Sequence, residues 1–229
     1  MEINTITVIW DLDGTLLDTY EWHFQTWNQV LSKRENQFNR TVFERFFGST
    51  NENSVKHFLG YDPDPAEFEH LVRTKEALFC EGLTQHTRLF PGVLAWLEFI
   101  SSSGMKQAIA SSAQMENINR SVDGFGIRHF FTSLISGADL PSKPAPDVFL
   151  EAARQCSSAP AQCVVMEDSY HGLQAARAAG MLCVGKRGTF NLQPGDADFI
   201  LDDYLHDPRD FFQRVSSQLA QRRQIQSLI

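Results

Sequence analysis

Hydrophobic and polar positions follow two different periods along this chain. The uncharged, β-branched run Ile6-Thr7-Val8-Ile9 predicts a buried strand of a parallel sheet. After Asp18 the period lengthens. Trp22, Phe24, Trp27, Val30 and Leu31 recur at mixed three- and four-residue spacings, which predicts an amphipathic helix over 18–35, and further helices follow over 39–47, 51–59 and 65–81. Gly60 to Pro65 holds prolines and aspartates in a short stretch, the composition of a turn between two of those helices. From Phe90-Pro91-Gly92 onward, helix and strand patterns alternate: helix 92–103, strand 105–110, helix 113–122, strand 132–136, helix 145–156, strand 162–166, helix 169–179 and strand 181–185. A last helix with a polar tail is predicted over 207–228. Alternation of this kind predicts an α/β fold, a doubly wound parallel sheet with right-handed crossovers. The core comprises residues 1–17 and 89–229. A helical-bundle domain over 18–88 interrupts it and sits over the strand ends.

Composition narrows the classes of function. The chain has 229 residues, 42% hydrophobic and 21% charged, as an ordinary globular protein does. A net charge of -8 without clustered Lys or Arg argues against a nucleic-acid footprint and against attraction to an anionic membrane. No basic region precedes the first apolar run, and no stretch approaches the roughly 18 apolar residues of a membrane span. A cytoplasmic protein, monomeric or weakly dimeric, with a small molecule as its partner is expected. Cys80, Cys156, Cys163 and Cys183 are scattered, with no C-x-x-C pair, and are expected to be four buried thiols.

The candidate chemistry lies at the ends of four predicted strands. Residues two apart in a strand share a side, so Asp11 and Asp13 project together from the C-terminal end of the first, where open α/β sheets place ligands. Two converging carboxylates need a cation or a shared proton, and Mg²⁺ is the economical choice. Gly14 then turns the chain, and Thr15 offers a hydroxyl and an amide. Ser111 and Ser112 end a second strand where a helix begins, which suits either an anion site or a simple helix cap. Lys143 stands beside two prolines in Pro141-Ser142-Lys143-Pro144-Ala145-Pro146-Asp147, a restrained loop holding one cation. Cys163-Val164-Val165-Met166 ends in Glu167-Asp168, an acidic pair that suits either a metal or a helix N-terminus.

The set resembles the haloacid dehalogenase superfamily. Asp11-Leu12-Asp13-Gly14-Thr15 matches its first motif, Ser111 its second, Lys143 its third and Glu167-Asp168 its fourth, with a helical cap inserted just after the first. The resemblance implies a Rossmann-like core and a Mg²⁺-dependent phosphoryl transfer. Asp11 would attack phosphorus and form an aspartyl phosphate, and Asp13 would serve as general acid and then base. Asp11, Asp13, Glu167 and Asp168 would hold Mg²⁺, and Lys143, Ser111 and the amides near Leu12 and Ser112 would hold the phosphoryl oxygens.

Within that superfamily, Asp18 to Trp27 is similar to the cap entry of the β-phosphoglucomutases, whose cap histidine and lysine are matched by His23 and Lys75. A mutase must grip a second phosphate with strong donors. Here Asn51 stands where those mutases carry an arginine, and Ala113, Gln114 and Met115 where they carry a serine, a lysine and an asparagine. The expectation is a phosphatase acting on a small phosphomonoester, a sugar or polyol phosphate. His23, Trp22, Asn51 and Lys75 would recognise the leaving group between apolar walls from Phe46 and Phe47. Two alternatives stand beside it: a β-phosphoglucomutase-like mutase using Arg45, Lys56 or Arg88 for the second phosphate, and a regulatory module that binds phosphate or metal without catalysis.

Overall fold

The computed structural model describes residues 3–226. Its strands are β1 (Thr7–Trp10), β2 (Leu17–Asp18), β3 (Arg88–Leu89), β4 (Lys106–Ser111), β5 (Ser133–Ser136), β6 (Cys163–Glu167), β7 (Leu182–Lys186) and β8 (Phe199–Leu201). Six of them form one parallel sheet in the order β5-β4-β1-β6-β7-β8. β1 lies between β4 and β6, with Trp10 opposite Ile109 on one side and Met166 on the other. This register brings the ends of β1, β4 and β6 level, so that Asp11, Ser111 and Glu167 emerge at one edge.

Both faces of the sheet are covered, as uninterrupted apolar strands require. The helices are α1 (Tyr20–Leu31), α2 (Arg40–Phe46), α3 (Asn51–Leu59), α4 (Pro65–His86), α5 (Val93–Ser102), α6 (Met115–Gly124), α7 (Asp147–Gln155), α8 (Tyr170–Ala178) and α9 (Pro208–Gln226). Val8, Trp10 and Met166 pack on one face with Trp96 of α5 and Phe212 of α9. Ile9, Ala108 and Val165 pack on the other with Phe149 of α7 and Ala176 of α8. Helices α1 to α4 share a third apolar cluster built on Trp27, Phe43, Phe58 and Leu71. The chain leaves for these helices through β2 and returns through β3, which pair antiparallel with Leu17 opposite Leu89 and Asp18 opposite Arg88. Arg88 donates to Asp18 Oδ2 at 2.8 Å across that pair.

Several expectations need correction. Helix α4 runs to His86 and not to 81, because Gly82 lets the Trp22 ring approach and Trp22 stacks on His86 at 4.0 Å. Helix α6 begins at Met115, which leaves Ala113 and Gln114 in the loop after β4. β2, β3 and β8 are two or three residues long, too short to show a period. The predicted terminal helix is seen as Pro208–Gln226, and its positions 227–228 lie outside the described residues. Cys156, Cys163 and Cys183 are buried and unpaired, whereas Cys80 is only half-buried. Burial pushes the Cys163 thiol up to about 12, so it is protonated at neutral pH. Among the described residues no helix is long and apolar enough to cross a membrane.

Candidate active site

The backbone N–H of Asp11 donates to Met166 O at 2.9 Å and carries the sheet pattern one residue past β1. Asp11 is thereby fixed over β6, and its Oδ1 accepts from Lys143 Nζ at 2.6 Å. The same ammonium donates to Glu167 Oε1 at 2.8 Å. Lys143 sits in a tight turn closed by Ala145 N–H to Ser142 O at 3.0 Å, over the Phe149 ring. Glu167 Oε2 accepts from the amide and hydroxyl of Ser169, at 2.6 and 2.9 Å, so both of its oxygens are engaged. Although adjacent, Glu167 and Asp168 both reach the cluster, because the chain leaves the strand conformation between β6 and α8.

Asp168 lies beside this ion-paired group as a third buried carboxylate, with no ion pair to Lys143. Burial, with Glu167 and Asp11 beside it, raises its carboxyl well above the ordinary range. Asp11 is raised to about 7, by burial first, against the pull of Lys143 and with the push of Glu167 and Asp13. Lys143 is held in its charged form by Asp11 and Glu167 despite burial. Gly14 adopts φ +83°, and a Cβ there would lie 2.2 Å from Asp168 Oδ2, so only glycine admits this carboxylate beneath the first loop. Asp168 Oδ1 accepts a long hydrogen bond from Thr15 Oγ1 at 3.4 Å, while the buried Oδ2 has no partner among the described residues.

An orphaned carboxylate oxygen in an over-acidic cluster is what a hard dication requires. Among the described residues no group of three or more His, Cys, Asp or Glu side chains is placed to hold a metal ion between them. Mg²⁺ needs none, since it takes one or two carboxylates and fills its octahedron with water and phosphate oxygens. The residues present therefore fit the ion.

Asp13 faces the helical segment. Its Oδ1 accepts from Thr19 Oγ1 at 2.7 Å and meets His23 Nε2 at 3.2 Å. His23 Nδ1 lies 2.9 Å from Lys75 Nζ, and its ring stacks on Phe79 with centroids 4.1 Å apart. An ammonium donating to Nδ1 places the ring proton on Nε2, which then donates to Asp13. Burial would raise Asp13, but His23 and Thr19 outweigh it and hold the carboxyl below its ordinary range. Burial and Lys75 lower His23, leaving it neutral. Lys75 is buried and ion-paired with Glu76, which excludes a solvated helix face for it.

A pocket of ≈ 60 Å³ lies between the sheet edge and the helices, lined by Asp11, Asp13, His23, Asn51, Lys75, Ser111 and Ser112, with Phe46 and Phe47 as the expected walls. Ser111 Oγ accepts from Ala113 N–H at 3.1 Å, which shapes the loop after β4. Leu12 is core, its side chain buried and its carbonyl accepting from the amides of Leu16 and Leu17. Trp22 is not in the pocket: its indole donates to Phe79 O at 2.9 Å, inside the helical segment. Arg45, Lys56 and Arg88 are exposed and line no part of it. Several pocket residues escaped the sequence reading, among them Glu76 on α4 and Asn117 on α6. Neither belongs to a motif, and they meet across 41 positions, so no local pattern marks them.

A sequence profile described as haloacid dehalogenase-like hydrolase matches residues 8–186. The chain is 30% identical over 187 residues to a β-phosphoglucomutase of Bacillus subtilis, covering 78% of this chain and 81% of that one. It is 29% identical over 181 residues to the fructose-1-phosphate phosphatase YqaB of Escherichia coli, covering 79% of this chain and 95% of that one. The fold is shared with a crystal structure of a β-phosphoglucomutase from Clostridium difficile, with a TM-score of 0.81 at 22% identity over 94% of this chain and 97% of that one. With its four strand-end motifs gathered at one sheet edge, the chain belongs to the haloacid dehalogenase-like hydrolase family.

Proposed function

We propose that this chain is a Mg²⁺-dependent phosphatase that hydrolyses a small sugar or polyol monophosphate, with residues 18–88 acting as a cap domain over the site. The observation that carries the reading is the pairing of Asp11 and Asp13 in two opposite environments. Asp11 lies in the acidic cluster against Lys143, the place for a nucleophile, and Asp13 lies in a hydrogen-bonded line from His23 and Lys75, the place for a proton carrier.

An Asp11 oxygen attacks phosphorus as the bond to the leaving oxygen breaks, and Asp13 gives that oxygen its proton. A phosphate dianion arriving beside Asp11 adds negative charge near Asp13 and favours the protonated form that this step needs. In the second step Asp13 takes a proton from water as the water attacks phosphorus, the bond to Asp11 breaks, and inorganic phosphate leaves. Lys143 and Ser111 bear the charge of the transferring group, together with the amides near Leu12 and Ser112. Asp11, Asp168 and the Asp13 carbonyl would hold Mg²⁺, while Glu167, occupied by Lys143 and Ser169, orients Lys143. The ion supplies the positive charge that lets a dianion approach a carboxylate.

The mutase reading draws on the match of His23 and Lys75, but it also requires a clamp for a second phosphate, and none of Arg45, Lys56 and Arg88 reaches the pocket. The test is phosphate release with Mg²⁺ from a panel of sugar and polyol monophosphates, with Asp11→Asn as control and NMR of the products. Release abolished by EDTA and by the substitution is expected. Conversion of β-glucose 1-phosphate to glucose 6-phosphate with little phosphate freed would overturn the reading.

A further inference from the structure

Beyond Lys75 the pocket meets a third carboxylate, separate from Asp11 and Asp13. Glu76 is 8% exposed, and both its oxygens are engaged. Oε1 accepts from Asn51 Nδ2 at 2.9 Å and from Lys75 Nζ at 3.2 Å. Oε2 accepts from Asn117 Nδ2 at 2.5 Å and from Lys75 at 3.0 Å. The donors come from α3, α4 and α6, so the carboxylate is fixed from three directions, and Asn117 is itself held by Cys80 Sγ at 3.1 Å. Burial opposes ionisation, but Lys75 and the two amides hold the group below its ordinary range, so it is charged at neutral pH.

This arrangement has a definite chemical preference. Among the described residues Lys75 is the only lysine or arginine lining the pocket, and Glu76 cancels it. A second phosphate at this end would meet an ionised carboxylate with no cation left to pair with it, and desolvated like charges are strongly unfavourable. A hydroxyl group carries no charge to oppose Glu76 and meets the Asn51 and Asn117 amides, which have donors to spare beyond the one each gives to Glu76. Resting on the phosphomonoester reading above, we propose that Glu76, held by Asn51 and Asn117, is the specificity determinant of the pocket. It selects leaving groups that are uncharged and rich in hydroxyls, and rejects bisphosphates.

The experiment is calorimetric binding to Asp11→Asn, with Mg²⁺ present, of monophosphates and their bisphosphate counterparts. Glucose 1-phosphate is set against glucose 1,6-bisphosphate, and fructose 1-phosphate against fructose 1,6-bisphosphate. The monophosphate is expected to bind at least tenfold more tightly in Asp11→Asn. Adding Glu76→Gln should bring the two affinities within about threefold, chiefly by a gain for the bisphosphate, while adding Glu76→Asp keeps the preference. Asn51→Lys, which neutralises Glu76 without altering it, should erase the preference too and stands in if Glu76→Gln does not fold. An unchanged ratio, including equal weakening of both ligands as a mere structural brace would give, overturns the inference. If the wild type releases phosphate from some member of the panel while the ratio stays fixed, only this inference fails. If it releases none from any member, the phosphatase reading fails and this inference with it.

Discussion

Gly172→Ala tests the hidden support of the active site with a substitution that should otherwise favour a helix. Gly172 opens the first turn of α8, where its N–H donates to the Ser169 hydroxyl at 3.1 Å. A Cβ at this position would stand 1.7 Å from Glu167 Oε1 and 1.9 Å from its Cδ. Contacts below 3.0 Å do not occur between real Cβ atoms and their neighbours, so the carboxylate must retreat by more than about 1 Å. It then surrenders hydrogen bonds to Lys143 and Ser169, each worth about 1.5–3 kcal/mol for a charged acceptor. Losing two of them, against about 1 kcal/mol gained from helix propensity, gives a net loss of about 2–5 kcal/mol. For a domain of this size that lowers Tm by roughly 10 °C. A displacement of about 1 Å passed on to Lys143 costs about 100-fold in kcat. Thermal melts and phosphate-release kinetics measure both effects. Gly180→Ala is the control: φ is +74° with no atom within 4 Å, so only the left-handed strain of about 1–2 kcal/mol applies. If Gly172→Ala melted and turned over like that control, the buried Glu167–Lys143 support would not be what positions the site.

Three further outcomes are expected. Asp11 titrates near 7 when folded and at 3.8 as its ordinary value, so its contribution to stability is full below 3.8 and is lost as pH rises through about 7. Metal-free protein should therefore lose Tm progressively between about pH 4 and 7 and level off above that, Mg²⁺ should restore it, and Asp11→Asn should flatten the profile; a flat wild-type profile without metal would contradict this. Lys143→Met leaves two buried carboxylates, Asp11 and Glu167, without their ammonium, so chemical denaturation without metal should show a loss of about 3–5 kcal/mol, and kcat should fall by about 100-fold or more. Tyr204→Phe deletes a buried hydroxyl that has no partner among the described residues, so the melt should show unchanged or increased stability, by up to about 1–2 kcal/mol, and a clear loss would mean that the hydroxyl is satisfied.

The strand-end motifs were legible because a parallel sheet aligns its C-terminal ends, so four polar interruptions of apolar runs become one place in space. Asp11, Ser111 and Glu167 needed no tertiary information beyond that rule. The short pairs β2 and β3 were not legible, since two residues carry no period and their pairing spans the whole helical segment. Glu76 and Asn117 were illegible for a related reason. Each is an ordinary polar residue on its own helix, and its meaning arises only where α4 crosses α6. The ion pair that buries Lys75 beside Glu76 is likewise absent from any local pattern.

The β2–β3 pair makes α4 a lever. Glu76 lies twelve residues before Arg88 on a helix that rises about 1.5 Å per residue, so it stands about 18 Å from the pair where the segment joins the sheet. A turn of only about 10° at that junction moves Glu76 by about 3 Å, more than the 2.5 Å that separates it from Asn117. The bond farthest from the junction is thus the most sensitive gauge of the angle, and an amide probe on the Asn117 side chain would report a swing that the junction itself barely registers.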